Sequence, residues 1–341
     1  MIPKGTGWQR LRSLCFDTIP SGSGVYHTRA VPLHEWRELG AFNVTLCNKQ
    51  RIILETAGSE IGGTLMADAE YLLDNSAEHQ ASVHDAVTGA VWYSPAWLLI
   101  TAYYWSFFST LALSRLTGKS TWFLDRQALS IFRKLGGVSQ QPPAGAMRLR
   151  VGTFISAINR EITLEPSGSQ LHDAVWKAFK ELADDIFGKV DQNANGLEYR
   201  LWWALKRIGD IWGPAWPSKV RNAANYKPGR VYREVVRQDR FDTLKLLKDV
   251  TPITHAKLVE LLEDQVLRIR AKETADSPLE GGTRILLLFA ITLNAVATNL
   301  HSELINRQTG DQRWFALRKR FCDLRCATTS GSIWPLSEDT T

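Results

Sequence analysis

Cysteine is scarce in this chain: four residues in 341, at Cys15, Cys47, Cys322 and Cys326, with no CxxC pair. Disulfide scaffolds and zinc knuckles need denser thiols, so free cysteines in a reducing compartment are expected. Also missing are a GxSxG elbow, an HExxH helix and a dinucleotide-binding glycine fingerprint, which removes the usual support for serine hydrolases, zinc proteases and Rossmann enzymes. No continuous apolar run follows Lys4, Arg10 and Arg12, so a secretory signal is not expected. There is no internal repeat and no low-complexity tract. The expectation is a cytoplasmic protein with neither metal nor cofactor.

Two partial motifs fail on inspection. Asp191-Gln-Asn193-Ala-Asn195-Gly196 opens like a calcium loop, but position twelve, which must supply a bidentate Glu, is Trp202, leaving an Asn/Gly turn. Thr117-Gly118-Lys119-Ser120 ends like a phosphate-binding loop, but the earlier glycine it needs is Leu113, leaving a helix stop.

Charge is locally absent as well. No charged residue lies between Asp85 and Arg115, or between Arg284 and Glu303. Both stretches are long enough to invite a transmembrane reading. Ser94, Thr101, Ser106, Ser109 and Thr110 dilute the first, Asn294, Asn299 and His301 the second, and the first lacks a flanking basic cluster. Buried core helices are expected and no membrane association.

What is present is an ordinary globular composition, with 44% hydrophobic and 22% charged residues, unusual only in its 13 tryptophans. Apolar spacing from Ile61 through Leu65, Ala69, Leu72 and Leu73 predicts an amphipathic helix. Ser94-Pro95 predicts the start of the uncharged central helix, with Gly118 as its stop. A shorter helix is expected at about 121–135. After the breaker cluster Val138–Gly145, the segment Arg148–Glu165 has strand-like composition and reads as a β-hairpin. Further helices are expected at about 170–187, 197–212, 219–226, 230–248, 254–273, 282–306 and 312–326. The fold class is therefore mainly α, with a small β-hairpin and extra helices. The expected division is an irregular segment at 1–54, a first bundle part at 55–119, an insertion with the hairpin at 120–195, the rest of the bundle at 196–327 and a polar tail at 328–341.

Two features carry a functional reading. The central helix contains Tyr103-Tyr104-Trp105-Ser106-Phe107-Phe108, and a later short helix contains Arg221-Asn222-Ala-Ala-Asn225-Tyr226. Together they resemble the HEPN family, whose helical bundle pairs an aromatic-rich helix with a later Arg, a polar residue, three variable residues and His. The resemblance covers about 55–118 and 197–250, and implies a HEPN-like bundle interrupted by the hairpin region. It implies metal-independent RNA cleavage, with a ribose 2′-OH attacking the adjacent phosphate, in bacterial phage defence or a toxin–antitoxin system. Arg221 would contact the phosphate, Asn222 and Asn225 would orient it, and Tyr226, standing where the family has His, would donate a proton or hydrogen bond. A phenol is a poor base at neutral pH, so a histidine from elsewhere is one resolution; the seven are 27, 34, 79, 84, 172, 255 and 301. Arg29 and His34 repeat the Arg-to-His spacing, but Pro32 between them suits a helix poorly.

Charge points the same way. Lys and Arg number 41 against 35 Asp and Glu, which favours polyanionic partners. Between Lys219 and Asp249 nine basic residues face four acidic ones. Lys219, Asn225, Lys227, Arg230, Arg233 and Arg237 are the expected RNA contacts, with Trp212, Trp216, Tyr226 and Tyr232 among them as possible stacking faces. RNA and a second copy of the chain, or a protein partner in a defence complex, are the expected partners. The competing readings are a non-catalytic RNA- or nucleotide-binding module and a protein-interaction subunit.

Overall fold

A helix without charge over most of its length has to bury most of its surface, and the architecture follows from that requirement. The computed structural model describes residues 5–20, 31–88, 94–191, 196–226, 255–271 and 282–307. Among these the chain order is α1 (Thr6–Thr18), α2 (Leu33–Leu39), β1 (Asn43–Cys47), β2 (Ile52–Ala57), α3 (Gly58–Thr88), α4 (Pro95–Leu116), β3 (Lys119–Leu124), α5 (Arg126–Leu135), β4 (Gly145–Phe154), β5 (Asn159–Pro166), α6 (Leu171–Phe187), α7 (Gly196–Trp212), α8 (Trp216–Tyr226), α9 (His255–Ala271) and α10 (Gly282–Arg307). The protein is mainly helical, with one small antiparallel sheet.

The uncharged helix is α4. Its N-cap Ser94 accepts from the Trp97 amide at 3.2 Å, as its Ser-Pro start predicts. It ends at Thr117, and Gly118 follows with φ +64° and space for no side chain, because a Cβ there would fall 2.5 Å from Thr18 Oγ1. Helices α3, α10, α8 and α6 pack around α4. Their shared core includes Tyr103, Trp105, Phe107, Trp176, Trp202, Trp216 and Phe289. Among the described residues two helices, Ala96–Leu116 and Arg284–Arg307, are long and apolar enough to cross a membrane by length and composition, but 72% of the apolar window in each is buried inside the protein. Core helices of soluble proteins have this character.

The sheet has five strands in the order β1-β2-β5-β4-β3. Strands β4 and β5 form the expected hairpin, but it is not isolated. β2 pairs with β5 from Ile52↔Leu164 to Ala57↔Asn159, and β3 pairs with β4 from Lys119↔Arg150 to Leu124↔Gly145. Residues 121–124, expected as the start of a helix, thus belong to strand β3. Thr121, Trp122 and Phe123 suit a pleated surface, and the helix begins only where Asp125 caps the Ala128 amide at 2.7 Å. Alternate residues Ile52, Leu54, Ile162, Leu164, Met147 and Leu149 face a second core shared with Leu33 and Trp36 of α2, Ile61 and Leu65 of α3, and Leu129 and Phe132 of α5. The expected helices at 230–248 and 312–326 lie outside the described residues.

Bundle and sheet are joined by buried polar contacts. Arg115 at the end of α4 donates from Nε to Asp68 Oδ2 of α3 at 2.5 Å, from NH1 to the Thr121 carbonyl of β3 at 2.9 Å, and also to Ser120. Arg160 of β5 donates to the Gly152 carbonyl at 3.0 Å, the Thr18 carbonyl at 3.3 Å and the Asp17 carbonyl, closing the C-terminus of α1. Glu198 of α7 accepts from the Trp8 amide in the first turn of α1 at 2.6 Å.

Removing one member of the Arg115–Asp68 pair strands a buried charge. Asp68→Ala is expected to destabilise by about 3–5 kcal/mol, read from the urea midpoint. A double Asp68→Leu/Arg115→Met change, apolar on both sides, is expected to recover most of that loss.

Candidate functional site

Arg221 is the residue to follow. On the short helix α8 its half-buried side chain lies across α4, with Cζ 5.3 Å from the centre of the Tyr103 ring. Arg221 Nε is shielded from solvent and has no hydrogen-bond partner among the described residues. A half-buried guanidinium held against an aromatic face, with a shielded donor to spare, is prepared for an anion. The aromatic helix and the Arg helix that the sequence singled out are therefore in contact.

A third helix completes the cluster. His172, in the first turn of α6, places Nδ1 2.6 Å from the Tyr103 hydroxyl. Trp176, one turn on, donates Nε1 to the same hydroxyl at 3.3 Å. The His172 ring lies against Phe107, with centroids 4.5 Å apart. Burial pushes the Tyr103 phenol up to about 12, against the pull of its Trp176 and Ser218 neighbours and of Arg221. Tyr103 is therefore a neutral hydrogen-bonding group at physiological pH. Burial, reinforced by the Arg221 charge and opposed by Asp173, holds His172 below its ordinary value of 6.5. His172 is neutral at pH 7. The contact has two forms: Nδ1–H donating to the Tyr103 oxygen leaves a lone pair on Nε2 that can take a proton, whereas the phenol donating to Nδ1 leaves the proton on Nε2.

Beside this cluster is an aromatic shelf. His79 of α3 stacks on Tyr104 at 5.6 Å and 21°, and on Phe108 at 5.5 Å and 14°. All three rings are half-buried. Burial lowers the His79 pKa, partly offset by Glu78, so this ring too is uncharged at neutral pH.

The other expected site residues are placed less centrally. Asn222 and Asn225 are exposed on α8, and Tyr226 at its last position is 78% exposed. Lys219 donates Nζ to the Trp212 carbonyl at 3.3 Å and so serves the end of α7. Lys227, Arg230, Arg233, Arg237 and Tyr232 lie outside the described residues, as does Arg29. Trp212 and Trp216, expected as stacking faces, are buried in the helical core and pack on each other at 5.4 Å. Of the histidines, His301 is buried against Glu70 at 3.1 Å and His84 beside Asp85 at 3.4 Å. Among the described histidines, His172 is the one beside Arg221. Its sequence context carries no signal of this, because the partner is on another helix.

Compared with models of known protein families, with curated proteins and with solved structures, the chain has no significant match.

The site makes a pH prediction. His172 resists protonation when folded, so the unfolded chain binds the proton first as pH falls. This contribution to stability is intact above about pH 6.5 and is lost as pH drops from there toward the lower folded value. By NMR the His172 ring should titrate below 6.5, and Arg221→Ala should move that titration upward.

Proposed function

We propose that this chain is an RNA-directed, HEPN-like protein whose site centres on Arg221, and that it cleaves RNA without a metal. The cytoplasm, a bacterial defence or toxin–antitoxin setting, and action as a homodimer or with a protein partner complete the reading that the family resemblance implies. The observation that carries the proposal is the convergence of Arg221, Tyr103 and His172 from three different helices. It brings a cation with a spare donor beside a histidine that is neutral at pH 7, next to an aromatic face. Those are the groups that transfer within an RNA chain requires.

In the proposed step the 2′-oxygen bonds to the adjacent phosphorus while the bond from phosphorus to the 5′-oxygen breaks. The products are a 2′,3′-cyclic phosphate and a 5′-hydroxyl. His172 Nε2 takes the proton of the 2′-hydroxyl, and the resulting imidazolium, disfavoured beside Arg221, returns a proton to the leaving 5′-oxygen. Arg221 offsets charge on the phosphoryl oxygens. Tyr103 and Trp176 hold the imidazole in place. Asn222, Asn225 and Tyr226, with Lys219, Lys227, Arg230, Arg233 and Arg237, are the proposed contacts to the strand beyond. The family's His position is occupied here by Tyr226, and this departure favours a second reading, an RNA-binding module without chemistry.

One assay separates the two. Purified protein is incubated with single-stranded RNA in EDTA and product ends are analysed. Cleavage leaving cyclic phosphate, reduced about 100-fold or more in Arg221→Ala and in His172→Ala, is the expected outcome. Salt-sensitive binding with no product would favour the module, and neither binding nor product would reject both.

A further inference from the structure

We infer that His79, Tyr104 and Phe108 form a subsite for one unstacked base of single-stranded RNA, beside the phosphate position at Arg221. The inference rests on the RNA-directed reading above and adds what that site recognises. Most large aromatic side chains of the helical core are sealed: Trp105, Trp176, Trp202 and Trp216 are all nearly fully buried. The three rings of the shelf are not, and they come from two helices rather than one. His79 could have turned to solvent from α3, yet it lies almost parallel to two rings of α4. A ring kept uncharged by burial stacks on a base without the desolvation cost of an imidazolium.

The shelf is continuous with the cation. Arg221 Cζ is 5.3 Å from the Tyr103 ring, and Tyr103 is 5.3 Å from Tyr104, edge to face. Tyr104 then meets His79 at 5.6 Å. Below the shelf, Phe107 packs edge to face on Phe108 at 5.8 Å and is itself buried, so the platform has a rigid floor. A guanidinium followed directly by a supported aromatic surface is how single-stranded nucleic acid is held without reading a duplex groove. An anionic peptide would need further cations in place of the rings, and a duplex keeps its bases stacked away from such a shelf.

The test is binding, at low salt and in EDTA, of a fluorescently labelled 2′-O-methyl oligoribonucleotide, which lacks the attacking hydroxyl and so stays intact, and of the same strand carrying abasic sites. Wild type should prefer the base-bearing strand. His79→Ala and Tyr104→Leu should weaken that strand's binding roughly tenfold, the effect of losing one stacked base, and leave the abasic strand unchanged. His79→Phe keeps a ring and should bind as wild type, which separates stacking from a folding defect. Arg221→Ala should weaken both strands alike. Equal affinity of wild type for the two strands, or unchanged binding by His79→Ala, would overturn the base subsite while leaving the phosphate reading intact. Absence of binding to either strand by wild type would remove the RNA-directed reading and the subsite together.

Discussion

The Arg115–Asp68 ion pair is the contact on which the arrangement turns. It is the first charge after a long uncharged stretch of α4, and it is spent in the interior, on a carboxylate of α3 and a carbonyl of β3. A buried pair adds little net stability over apolar residues of the same shape, but it tolerates only one geometry. At the C-terminal end of α4 this pair fixes how the helix lies along α3 and how the sheet meets its end. The aromatic face of α4, with Tyr103 and Tyr104, is thereby presented toward α6 and α8.

Other polar groups act in the same sense along the bundle. Ser76 lies 2.7 Å from Ser109 and donates to Asn294 at 3.0 Å, and Asn294 in turn donates to Gln80 at 3.1 Å. These bonds tie α3, α4 and α10 at one level. His301 and Glu70 tie α10 to α3 at another. Apolar helices can slide past each other at small cost, whereas each unmatched hydroxyl or amide in a core is expensive. Register in the bundle is therefore set by a handful of polar residues, and the same residues diluted the apolar stretches of the sequence.

Much of the helical frame was legible from local signals. Ser94-Pro95 and Gly118 mark the two limits of α4, and the apolar spacing from Ile61 to Leu73 marks the presence of α3 though not its limits, Gly58 and Thr88. The sheet was only partly legible. β1 and β2 are short, and β3 is followed immediately by a helix, so its apolar residues were read with the helix that comes after them. At the candidate site the sequence identified Arg221 and the aromatic run of α4, each by its own motif. It did not identify His172, His79 or the burial of Trp212 and Trp216. Those depend on which helix packs on which, a fact held by no short segment.

The pairing of β2 with β5 gives the chain a folding order. Ile52 and Leu164 lie on adjacent strands, with α3, α4, β3, α5 and β4 between them in sequence. The α3–α4 hairpin is local and can form early, whereas the sheet closes a loop of roughly a hundred residues, an entropic cost met only once its ends are brought near. A chain emerging from the ribosome would carry the helical hairpin with its apolar faces uncovered until α6, α8 and α10 arrive. The interval before those helices dock is when it is most exposed to aggregation, and most in need of a chaperone or of a partner that binds the growing chain.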